Sequence, residues 1–147
     1  MPSRNNKKWY DVNMKKVVIS GSNKKPEEIK KWIEYWNGRK GFSVIKSPKN
    51  ISPEYFEREF SDELKDHLQM IADTDILFVA NCEKDGMDGY IGSGVYAEIV
   101  FAVSQNILYG KNIKIILAEK PATDAPVFDE ISALVYAGAV EIFKYPA

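Results

Sequence analysis

Asp75-Ile76-Leu77-Phe78-Val79-Ala80-Asn81 decides the fold. Five apolar residues in succession, bounded by an acid and an amide, read as a strand buried on both faces, as in a parallel sheet. The chain then runs through Cys82-Glu-Lys-Asp-Gly-Met-Asp-Gly-Tyr-Ile-Gly-Ser-Gly94, a glycine-rich polar loop. Val95-Tyr-Ala-Glu98 follows and leads into an apolar helix expected over 96–108. Strand, loop and helix in that order set the loop at the carboxyl edge of the sheet, where such folds bind ligands.

The same alternation extends in both directions. Upstream, 17–20 reads as a first strand, followed by Gly21 and by Pro26 at a helix start with Glu27 and Glu28 beside it. Ile29, Trp32, Ile33 and Trp36 recur at helical spacing, and 42–45 forms a second strand. Ser52-Pro53 reads as a helix N-cap with proline at the first helical position, opening one helix or two over 54–72. Downstream, 113–118 is the fourth strand, 124–136 a helix and 140–143 a short fifth strand. The expectation is an α/β three-layer sandwich with a five-stranded parallel sheet. It is flavodoxin-like or Rossmann-like, in the order 2-1-3-4-5.

The 147 residues suffice for one domain, expected over 16–147, with 1–15 as a disordered tail. A net charge of −1 provides no broad basic field for a nucleic acid polymer. Cys82, the single cysteine, excludes an internal disulfide framework and a thiolate metal cluster. No apolar run approaches 18 residues and none resembles a secretory leader, so no membrane association and a cytoplasmic location are expected.

Candidate site residues cluster at strand ends. Ser20-Gly21-Ser22-Asn23 follows the first strand, and its backbone can receive an anion or a sugar hydroxyl, or serve as an ordinary turn. It is neither a Walker A motif nor a Rossmann fingerprint. Asn81, at the end of the third strand, can donate to and accept from a sugar or base. Within the glycine-rich loop, Tyr90 and Ile91 could wall a pocket, with Tyr90 stacking on a planar base. Gly92 and Ser93 end that loop, with Ser93 or Gly94 expected to cap the helix. Asp85 and Asp88 lack a third spaced ligand, and no metal or other cofactor is expected. Glu98 is the sharpest candidate: a lone carboxylate among Ala97, Ile99, Val100 and Phe101, near the positive helix terminus. Such a group can attack an anomeric carbon, as in retaining glycosidases, or simply pair with a nearby donor. Asp73 and Asp75, at the other end of the strand, fit turn chemistry. His67, the single histidine, fits a structural role as well as a catalytic one.

Gly21-Ser22, His67, Ile71, Thr74-Asp75-Ile-Leu-Phe-Val-Ala-Asn81, Gly89-Tyr-Ile-Gly92 and Glu98 together resemble the nucleoside 2-deoxyribosyltransferase-like superfamily. The closest likeness is to a branch related to the deoxynucleoside monophosphate N-glycosidases. The resemblance covers roughly 16–121. It implies that Glu98 is a nucleophile that takes the deoxyribosyl group, and that Gly21 and Ser22 contact the nucleotide. It sets His67, with Asp66 adjacent, where relatives carry an aspartate near sugar and base; a histidine there can move protons near neutral pH. Asn23-Lys24-Lys25 stands where the glycosidases have a phosphate-binding arginine. The resemblance also implies a homodimer or higher homo-oligomer, with Tyr145 as a possible contributor to a neighbouring site. The expected function is cleavage or transfer at the N-glycosidic bond of a nucleoside or its monophosphate. A nucleotide-binding module without that chemistry is the alternative, and a structural or partner-binding protein a third reading.

Overall fold

The computed structural model describes residues 14–145. The tail expected over 1–15 thus lies outside the described residues except for Met14 and Lys15, and Lys15 already belongs to the first strand. Five parallel strands form the sheet: β1 (Lys15–Ser20), β2 (Phe42–Lys46), β3 (Ile76–Val79), β6 (Lys114–Leu117) and β7 (Glu141–Ile142). Their spatial order is β2-β1-β3-β6-β7, so the expected order 2-1-3-4-5 is the observed one. Val17 pairs with Ile76, and Val79 with Leu117, so β1, β3 and β6 end nearly level.

The continuous apolar run of β3 has the expected cause. Ile76, Phe78 and Ala80 face α1 (Pro26–Asn37) with Trp32, Trp36 and Ile29. Leu77 and Val79 face the opposite core with Ile71, Ile99 and Ile131. These come from α2 (Phe56–Ala72), α3 (Ser93–Tyr109) and α4 (Phe128–Tyr136). One helix therefore covers one face of the sheet and three cover the other. Trp36 is 2% exposed, and its indole N–H has no partner among the described residues. An orphaned buried donor costs about as much as the ring volume lost in Trp36→Phe. That variant should unfold in urea within about 1 kcal/mol of wild type; a loss near 4 would show a hidden partner.

Four local expectations are corrected. The glycine-rich loop contains a hairpin, β4 (Cys82–Lys84) paired antiparallel with β5 (Met87–Tyr90). Asp85 (φ 52°) and Gly86 (φ 82°) turn it, both left-handed as a two-residue I′ turn requires. Helix α3 begins at Ser93, earlier than 96, because extended Gly92 is its N-cap in place of Ser93 or Gly94. Helix α4 begins at Phe128, later than 124, because Pro126 disfavours helical geometry at Ala125. Ser52 also makes no side-chain cap; a 3₁₀ turn at Pro53–Tyr55 precedes α2. Among the described residues, no helix is long and apolar enough to cross a membrane.

Candidate active site

A cavity of about 650 Å³ opens at the carboxyl ends of β1 and β3. Its walls are the first loop, α2, the β4–β5 hairpin and the first turns of α3. Gly21, Ser22, Asn23, His67, Asn81, Tyr90, Gly92, Ser93 and Glu98 all line it, so the structure brings these nine candidates to one place.

At its base His67 Nε2 lies 2.9 Å from Glu98 Oε1. Both side chains are largely removed from water, at 7% and 16% exposure. The same nitrogen lies 3.5 Å from the hydroxyl of buried Ser20. One nitrogen facing both partners is not a relay, which needs the two ring nitrogens on opposite sides. Against an ionised Glu98 the imidazole must present Nε2–H, since its lone pair would repel the carboxylate. That contact orients Glu98 and leaves Oε2 without a protein donor among the described residues. Glu98 is the sixth residue of α3, beyond the first turn where the helix dipole acts strongly, so His67 is its main local partner.

Other candidates do different work from that expected. Asn81 Nδ2 donates to the Gly89 and Glu119 carbonyls (3.1 and 2.9 Å), and its Oδ1 accepts from Glu119 N–H (3.1 Å). Its amide thus ties the hairpin to the segment after β6. At Gly21 a Cβ would approach Ile29 Cδ1 to 2.8 Å, so glycine lets the first loop close over α1. Ser22 Oγ accepts from Lys24 N–H (3.2 Å), while Asn23 is exposed at the cavity wall. Tyr90 is half-buried, with Lys84 Nζ 4.9 Å from its ring centroid. Ile91, expected beside it as a pocket wall, is instead 1% exposed in the core. Tyr145 packs outside the cavity, its ring 4.9 Å from Phe143 and 6.1 Å from Trp32.

Further residues complete the surroundings. Ser20 lies beneath the cavity, and Phe60 and Glu63 line it from α2. Phe56, Phe60, Glu63 and His67 share one helical face, a spacing legible at 56, 60, 63 and 67. Lys46, from the end of β2, lies 2.7 Å from Glu63 and 2.9 Å from Asp66. Burial pulls its ammonium pKa down, but hydrogen bonds to Glu63 and Asp66 outweigh that and raise it above 10.5. The Lys46 hydrogen bond and charge hold Asp66 below 3.8. The raised lysine stabilises below about pH 10.5 and ceases to as pH climbs through its folded value. The depressed aspartate stabilises above about pH 3.8 and ceases to as pH drops through its folded value. Lys46→Met should cost roughly 2 kcal/mol at neutral pH, between exposed and fully buried pairs. Melting curves across pH should show that gap closing at both extremes. Burial raises the Cys82 thiol at the cavity wall, which disfavours a reactive thiolate there.

Among the described residues no cluster of three or more His, Cys, Asp or Glu could hold a metal ion. No family model matches the chain, and a search of curated proteins finds no match.

Proposed function

We propose that this protein cleaves or transfers the N-glycosidic bond of a nucleoside or nucleoside monophosphate, with Glu98 as nucleophile. The observation that carries this reading is the Glu98 carboxylate, held at 2.9 Å by His67 and facing a cavity at the carboxyl edge of a parallel sheet. The free Oε2 attacks the anomeric carbon as the carbon–nitrogen bond breaks, and the bond's electron pair leaves with the base. A proton from water then neutralises the leaving base, while His67 Nε2–H keeps Glu98 oriented. The glycosyl ester on Glu98 passes its sugar to water in a hydrolase or to a second base in a transferase. The hydrophobic Ile107, Leu108 and Tyr109, 69–74% exposed at the end of α3, favour a homo-oligomer. A cytoplasmic setting suits a small-molecule substrate of this kind.

Base release from a panel of deoxynucleosides and their monophosphates, with and without an acceptor base, tests the reading. Release without acceptor identifies a hydrolase, and acceptor-dependent exchange a transferase. Silence across the panel from folded protein rejects glycosidic chemistry. It would favour a nucleotide-binding module, in which Glu98 accepts from a ribose hydroxyl.

A further inference from the structure

We infer that α2 reads the outer edge of the base: Glu63 accepts a hydrogen bond from an exocyclic amino group of a planar nitrogen heterocycle stacked on Phe60. The inference rests on the proposed function, which sets the sugar at Glu98. His67, on the same helical face, touches Glu98, and Glu63 lies one turn away from it. Four residues of helix rise about 6 Å, a separation that a base attached to that sugar can span. Both Glu63 and Phe60 line the cavity.

Charge decides what this wall accepts. One ammonium, Lys46, faces two carboxylates, so the ionised trio carries one excess negative charge. Lys46 binds Glu63 through Oε1, leaving Oε2 without a protein donor among the described residues. An ionised carboxylate only accepts, so it selects ligand N–H groups and disfavours a bare ring nitrogen or carbonyl. Asp66 alone already holds Lys46 at 2.9 Å, and Asp66 does not line the cavity. Glu63 is therefore more than a tie between β2 and α2.

The platform is beside it. Phe56 and Phe60 stack at 4.8 Å with 23° between planes, yet remain 45% and 43% exposed on the cavity wall. A flat aromatic ligand is the chemistry that would cover such a ring and present polar atoms to a carboxylate at its rim. Aromatic area gives affinity to any planar ring; Glu63 gives preference among rings.

Calorimetric titration of the full chain with adenine and with unsubstituted purine separates the two terms. Wild type should bind adenine at least about tenfold tighter, the scale of one hydrogen bond to a charged acceptor. Glu63→Ala should bring the two affinities together, and Phe60→Ala should weaken both alike. Melting curves establish that each variant is folded; Lys46 keeps Asp66 in both. Equal binding of the two bases by wild type, no binding of either, or a preference surviving Glu63→Ala would overturn the inference. The base-release panel is read separately. Silence there with an intact adenine preference would reject the glycosidic reading and leave the base reader standing.

Discussion

Glu98→Ala should abolish base release, lowering the single-turnover rate on the order of 10⁴-fold or more, while the protein stays folded. Removing a nucleophile removes the covalent path itself, whereas removing an orienting partner only misplaces it. Folding should survive because Glu98 is not part of the apolar core. The lost contact is the 2.9 Å approach of His67 Nε2, on the scale of one hydrogen bond at about 1 kcal/mol. Glu98→Gln sharpens the experiment, since the amide keeps the shape and an acceptor but cannot form the ester. Both variants should be equally inactive, with Glu98→Ala melting about 3 °C below wild type. Normal turnover by either would sink the mechanism, and His67→Asn should retain partial activity if His67 chiefly orients the carboxylate.

The largest expected loss of stability is at Gly89. Its φ is +70°, and an added Cβ would lie 1.9 Å from the Lys120 carbonyl oxygen. The backbone conformation alone costs a non-glycine residue about 1 kcal/mol or more. The clash cannot be relieved by a rotamer because the neighbour is main chain. Relief requires the hairpin to part from the segment after β6. That breaks the Ala122 N–H bond to the Gly89 carbonyl (3.2 Å) and disturbs both Asn81 Nδ2 bonds. Gly89→Ala should therefore cost about 3 kcal/mol or more, roughly 10 °C in melting temperature for a chain of this size. Tyr90, next in sequence, should shift with it, so ligand binding should weaken even in protein that remains folded. Gly86→Ala is the control. Its φ is also positive, but nothing lies within 4 Å of the added Cβ, so only the backbone term applies. Equal melting temperatures for the two variants would refute the close-approach argument.

The sheet was legible because β1, β3 and β6 are short apolar runs set between amphipathic helices, a pattern with few parallel arrangements. The hairpin was not. Cys82-Glu-Lys and Met-Asp-Gly-Tyr90 lack the β-branched alternation that marks strands, and four glycines masked them as loop. Asp85-Gly86 was the available signal, since that dipeptide suits a two-residue turn. At the site, residue positions were legible but duties were not. Asn81 stands where a ligand contact was expected, yet its partners Gly89 and Glu119 come from segments that only the tertiary fold brings together. Glu63 looked like one charge among many on a polar helix, because its meaning depends on Lys46 arriving from β2. His67 was a candidate in the sequence, and its distance to Glu98 shows which residue it serves.

The lopsided covering of the sheet has a spectroscopic consequence. Trp32 and Trp36 both pack under α1 against Phe78, with ring centroids 4.5 and 5.4 Å away, and neither lines the cavity. Emission from these two indoles reports whether α1 is seated on the scaffold and is shielded from events in the crevice across the sheet. With the third tryptophan, Trp9, replaced by phenylalanine, intrinsic fluorescence of Glu98, His67 or Glu63 variants should thus track folding without contamination by ligand. A tryptophan introduced at Tyr90 would supply the complementary optical probe, answering to occupancy of the crevice.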